Sequence, residues 1–195
     1  MKLPEPRLRG NVSIEEALFK RRSVRGYKNE PLTLAEVSQL LWAAQGVTDD
    51  YGFRTAPSAG ALYPLEVYLV AGNVSGLSSA VYKYVPGGHS LTRVLDGDLR
   101  NELAKVALNQ TFIADAPASF VITAVYKRTT GKYGERGIRY VDMEAGHASE
   151  NLLLQGVALG IGTVTVGAFD DGQVIKLLKL PGDEAPLYII AAGRK

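Results

Sequence analysis

The stretch NLLLQGVALGIGTVTVGAF, residues 151–169, is uncharged throughout and long enough to be mistaken for a membrane span. Its internal order argues otherwise. The first part continues a helical stripe that begins near Tyr140 and runs to Leu159. Gly160 and Gly162 then interrupt it, and Thr163-Val164-Thr165-Val166 is β-branched at every position, which suits a strand. A long helix turning into a buried strand implies an α/β composition, with a sheet for the helix to cover.

The same grammar extends outward. Ser13 followed by Glu16, and Thr33 followed by Glu36, are capping-box spacings. The first opens a short helix over 13–22. The second opens a stronger helix whose Val37, Leu40, Leu41 and Ala44 repeat at three and four until Gly46. Strands are expected around Val67–Ala71, Tyr82–Val85, Ser119–Tyr126, Val164–Val166 and Pro186–Ala192. Further helices are expected from Asp98 to about Leu108 and over Gln173–Leu180, and a glycine- and base-rich loop over Lys127–Arg139. Helices and strands do not alternate strictly, so the expected fold class is α+β, with a mixed, mainly antiparallel central sheet flanked by helices, in a single domain spanning 1–195.

Composition narrows the function. Of 195 residues, 46% are hydrophobic and 22% charged, which excludes a disordered or collagen-like chain. The formal net charge of +2 is too small for the whole chain to attract a polyanion, so no nucleic-acid partner is expected, and the alternative of a nucleic-acid-binding module built on scattered Arg, Lys and ten tyrosines is disfavoured. With no cysteine and two histidines, His89 and His147, thiol redox centres, iron–sulfur clusters and Cys/His zinc sites are ruled out. Redox chemistry here requires an organic cofactor. The N-terminus lacks the apolar core of a secretory signal, so a cytoplasmic protein without membrane attachment is expected.

Several apparent motifs fail on inspection. Gly160-Ile161-Gly162 is followed by Thr165 and runs from helix to strand, the reverse of a dinucleotide fingerprint. Gly131-Lys132 is followed by Tyr133 instead of the Ser or Thr of a phosphate loop. Glu144 and His147 have a Glu-x-x-His spacing, but no second copy exists to complete a carboxylate-bridged metal site.

Two groups retain chemical interest. Arg21, Arg22, Ser23 and Arg25 place three guanidinium groups and a hydroxyl within five residues. Cations at the end of a helix satisfy its dipole without any ligand, yet guanidinium forks also match phosphate oxygens. Pro57, Ser58, Ala59, Gly60 and Ala61 are small, leaving room for a flat ligand against the backbone, with Ser58 as a donor. A plain turn would read the same way.

RRSVRGY at 21–27, PSAGALYP at 57–64, KYGERGIRY at 132–140, residues 144–169 and the terminal AAGRK occur in an order that resembles the FMN-dependent nitroreductase superfamily, specifically its SagB-type dehydrogenase branch. The resemblance implies a homodimer with FMN at the interface and NAD(P)H as a hydride source. It assigns Arg21, Arg22, Ser23 and Arg25 to the phosphate, ribityl and pyrimidine edge. Pro57, Ser58 and Gly60 are placed beside the isoalloxazine ring, Gly167 and Ala168 near its hydride-carrying nitrogen, and Arg194 with Lys195 at the phosphate. Ala61 departs from the asparagine that many other nitroreductases carry there, which favours the SagB-type branch. Lys132 and Tyr133 match the pair to which azoline-oxidising members entrust the substrate proton. The implied activity is hydride transfer to an acceptor such as a nitroaromatic or quinone, or alternatively azoline-to-azole dehydrogenation on a peptide. No separate pyridine-nucleotide fingerprint is expected, because both substrates would use one flavin face in turn.

Overall fold

A computed structural model describes all 195 residues. The helices are α1 (Ile14–Lys20), α2 (Leu34–Gln45), α3 (Arg100–Val106), α4 (Phe112–Asp115), α5 (Lys127–Tyr133), α6 (Arg136–Ala158) and α7 (Asp171–Leu178). The strands are β1 (Leu32–Thr33), β2 (Leu65–Ala71), β3 (Val74–Ser75), β4 (Ala80–Val85), β5 (Ser90–Asp96), β6 (Ala118–Ala124), β7 (Ile161–Val166) and β8 (Ala185–Arg194). Six of them form one sheet in the order β5-β4-β2-β6-β8-β7, antiparallel at every pairing. A separate short pair, β1–β3, is parallel.

Each face of the sheet carries helices. On one, Val37, Leu40 and Leu41 of α2 and Val141, Ala145, Ala148 and Leu152 of α6 pack on Val67, Leu69, Phe120, Ile122 and Ile190. On the other, Leu103 of α3, Ile113 of α4 and Val174 and Leu178 of α7 pack on Val70, Val121, Val164 and Ile189. Successive strand residues feed opposite cores, so the inner strands read as continuous apolar runs. On the second face Glu184, 5% exposed, accepts hydrogen bonds at 2.8 Å from the Tyr68 and Thr123 hydroxyls and from Lys83 Nζ.

Local signals act where expected. Thr33 caps α2 in a complete capping box with Glu36, and Ser13 Oγ accepts from the Glu16 amide at 3.2 Å. Gly160, at φ +71°, ends the long helix. Gly162, expected to break structure too, instead lies inside β7.

The loop expected over Lys127–Arg139 folds instead as α5, a two-residue link and the first turn of α6. KRTTGKY has no apolar stripe, and tertiary packing stabilises it. Thr129 is buried, and a side chain at Gly137 would fall 2.9 Å from the Thr130 backbone, so the bare glycine admits α5 onto α6. Edge strand β5 and helix α4 were not foreseen in the sequence; β5 is largely exposed and lacks the apolar alternation that marks a half-buried strand. No helix is long and apolar enough to cross a membrane.

Candidate functional site

The basic segment is held by the sheet edge. After α1, Ser23 bridges Thr163 in parallel and the Val24 amide donates to Thr163 O at 3.0 Å. Val24 covers Gly162, where a Cβ would sit 2.7 Å from its Cγ1, and Tyr27 covers Gly193, where a Cβ would sit 2.9 Å from its Cδ1. The Tyr27 hydroxyl donates to Val24 O at 2.7 Å, and burial raises its pKa, keeping it a donor.

Anchored this way, Arg22 and Arg25 are exposed and neither has a carboxylate partner. Arg22 Nη1 donates to Phe19 O and Arg21 O at 3.0 and 2.6 Å, closing the end of α1 while leaving its other nitrogens unused. Arg25 lies 5.8 Å from the Phe112 ring centroid, and Arg21 Nε is 3.5 Å from Glu150. Arg194, by contrast, is engaged, 2.8 Å from Glu36 at the start of α2, and Lys195 is exposed.

The turn at 57–61 is built by unusual backbone. Gly60, Ala61 and Tyr63 have φ of +65°, +54° and +46°, the left-handed region that asparagine tolerates better than alanine. Ser58 Oγ accepts from the Tyr63 amide at 2.9 Å and donates to Glu144 Oε2 at 2.6 Å. Above Gly60 the structure brings in Lys132 and Tyr133: a Cβ there would lie 2.8 Å from the Tyr133 hydroxyl and 3.0 Å from Lys132 Nζ. The Tyr133 ring meets Tyr140 edge-on, with centroids 5.3 Å apart.

Glu144 is the residue that sequence reasoning missed, having weighed it only as half of a metal pair. It is 2% exposed, its Oε1 has no partner, and it borders a pocket of about 300 Å³ together with Pro57, Ser58, Ala59, Tyr140, Met143 and His147. Burial pushes its carboxyl up to about 7, against the opposing effects of the Ser58 hydrogen bond and the Arg54 charge. The signal available was an acid on the same helix stripe as Val141, Ala145 and Ala148.

Helix α6 is the common spine. Glu144 meets Ser58, Ser149 Oγ lies 2.9 Å from Thr165 Oγ1, and Glu150 meets Arg21. Asp142 and Ala145 border a second pocket with Gly167 at the end of β7, while Ala168 O accepts from Gln110. Residues 142–150 rise about 12 Å along the helix, so these regions gather within little more than two turns. No hydrogen bond or ion pair joins residues 21–25 directly to 57–60.

The sequence profile of the nitroreductase family matches residues 18–194. The chain belongs to the nitroreductase family. All the candidate residues named above except Lys195 fall within the matched span. A nitroreductase-named protein of Methanocaldococcus jannaschii is 52% identical over 184 residues, covering 94% of this chain and 92% of that one. A nitroreductase-named crystal structure from Ralstonia eutropha superposes with TM-score 0.88 at 31% identity, covering 100% of this chain and 88% of that one. More distant relatives are an NADPH-flavin oxidoreductase of Vibrio harveyi, 27% identical over 64% of this chain, and the microcin B17-processing protein of Escherichia coli, 26% identical over 76%. This chain spans about half the length of each, 54% and 57%.

Proposed function

We propose that the protein is an FMN-dependent oxidoreductase, a cytoplasmic homodimer of single-domain subunits, that passes hydride between NAD(P)H or an organic substrate and an acceptor such as a nitroaromatic or quinone. The observation that carries this reading is the pair of exposed guanidiniums, Arg22 and Arg25, without acidic partners on a segment stapled beside β7, in a chain of the nitroreductase family. That segment fits a phosphate; the bare, small-residue turn at 57–60 fits a planar ring; and the name of the Vibrio relative supports a flavin. FMN, when bound, would supply the hydride-accepting and hydride-donating centre.

In this reading Arg21, Arg22 and Arg25 neutralise the phosphate, with Ser23 reaching the ribityl chain. Pro57, Ser58 and Gly60 line the ring, and the exposed backbone of Gly167 and Ala168 bounds it from the end of β7. Arg194 contributes less than the resemblance implies, because Glu36 already holds it. Lys195 adds an unpaired charge close by.

One observation favours a second reading within the SagB-type branch, azoline-to-azole oxidation on a peptide. Lys132 Nζ and the Tyr133 hydroxyl converge above Gly60, where either group, in its deprotonated form, would accept a proton from a molecule lying on the turn. The name of the Escherichia coli relative points to peptide processing.

The visible spectrum of protein purified without added cofactor, followed by release and identification of any chromophore, tests the first reading. Stoichiometric FMN is expected; a colourless protein that takes up no added FMN overturns it. Tyr133→Phe and Lys132→Met separate the two activities. A quinone reductase retains most of its rate, whereas an azoline oxidase loses it.

A further inference from the structure

Ser58 and Glu144 form a hydrogen bond whose direction depends on a proton. The Ser58 hydroxyl has one hydrogen to donate and two lone pairs. The Tyr63 amide uses one lone pair at 2.9 Å, and Glu144 Oε2 lies 2.6 Å away. While Glu144 is a carboxylate it has no hydrogen, so the single Ser58 O–H is committed to it. Once Glu144 carries a proton, its own O–H can donate to the second lone pair of Ser58. The Ser58 hydrogen is then free to turn toward the space beside Ala59 and Gly60. The Glu144 side chain is 2% exposed and its Oε1 has no partner, so Ser58 is the one hydrogen-bonding group the fold gives this carboxyl.

We infer that Ser58 and Glu144 form a proton-gated hydrogen-bond donor: protonation of Glu144 releases the Ser58 hydroxyl to donate to a carbonyl or ring-nitrogen acceptor of a planar ligand on the 57–60 turn. This rests on the flavin reading above and adds to it a positioning role for Glu144, exercised through Ser58. The charged and titratable groups around the gate are Arg54 and Tyr63 from the turn region, Tyr140 and His147 from α6, and Lys132 and Tyr133 from α5; Arg54 in turn faces Glu66 and Arg128. Burial outweighs Arg54, so the carboxyl titrates close to neutral pH and the gate switches there.

The test is the dissociation constant for FMN, measured by fluorescence between pH 5.5 and 8.5 on full-length protein stripped of bound flavin. One hydrogen bond of about 1 kcal/mol corresponds to about fivefold in affinity, so binding should weaken about fivefold from pH 6 to pH 8. Glu144→Gln, whose amide can donate to Ser58 at any pH, should bind with the low-pH affinity throughout. Ser58→Ala should bind weakly throughout, and His147→Gln should keep the wild-type dependence. A flat wild-type profile overturns the inference, as does a dependence that survives Ser58→Ala or vanishes in His147→Gln.

Carbon-13 NMR of glutamate-labelled protein supplies a readout that needs no flavin. The Glu144 carboxyl should titrate near neutral pH, with a higher midpoint in Ser58→Ala, because the donor that stabilises the carboxylate is gone. An unchanged midpoint overturns the gate. Failure of FMN to bind at every pH, with that NMR shift present, overturns the flavin reading instead.

Discussion

Gly162 and Gly193 face each other across the β7–β8 ladder, and Val24 and Tyr27 lie on the two bare patches they leave. Register partners point their side-chain positions to the same face, so two glycines opposite each other open a shallow seat on the sheet. The segment carrying Arg21, Arg22 and Arg25 is positioned by that seat, through Val24 and the Tyr27 hydroxyl bond.

Filling the seat should therefore be costly. Gly162→Ala and Gly193→Ala each place a methyl group under 3 Å from Val24 or from Tyr27 and Pro117, and overpacking of this kind costs ~1–3 kcal/mol. Urea denaturation should show that loss, accompanied by weaker FMN binding. Unchanged stability would mean that the segment is not held by the seat.

Arg22→Ala and Arg25→Ala should each weaken FMN binding by about 1.5–3 kcal/mol, the value of a hydrogen bond to a charged group. Arg25 makes no structural ion pair, so its removal should leave the denaturation midpoint within experimental error. Flavin affinity unchanged in both variants would remove the phosphate assignment, which a fluorescence titration decides.

Glu144 should make stability fall with rising pH. Its carboxyl stands near 4.5 when unburied and is pushed up to about 7 in the fold, so between those values the native state binds the proton more tightly. Its contribution is fully present below pH 4.5 and is lost as pH rises through 7, by ~3 kcal/mol at most. Glu144→Gln removes this dependence. Denaturation at pH 5 and pH 8 should show a smaller pH loss in Glu144→Gln than in wild type, and equal losses would refute the assignment.

Glu184→Ala should cost at least ~2 kcal/mol, because the buried Tyr68 and Thr123 hydroxyls lose their shared acceptor and Lys83 loses its closer carboxylate. Glu184→Gln keeps an acceptor for the hydroxyls and should lose less. Equal thermal shifts in the two variants would argue that the hydroxyl bonds contribute nothing.

Much of the fold was legible in the sequence because its signals are local. The capping box at Thr33 and Glu36, the α2 repeat ending at Gly46 and the helix-to-strand change after Gly160 depend on neighbours in the chain, and each acts as read. Edge strand β5 and helix α5 were missed for the opposite reason. Neither carries the apolar alternation or stripe that periodicity detects, and both depend on pairing with β4 or packing on α6.

The candidate site divides in the same way. Residue chemistry singled out the arginines of 21–25 and the small residues of 57–60, because donors, charges and bare backbone are properties of residue type, whereas the Lys132–Tyr133 pair was marked only by the family resemblance. Tertiary structure alone decided that Lys132 and Tyr133 stand over Gly60, that Glu36 occupies Arg194, and that Glu144 is an acid enclosed beside Ser58. An acid's proton affinity depends on how much water surrounds it, and that is set by elements far apart in the chain closing over it.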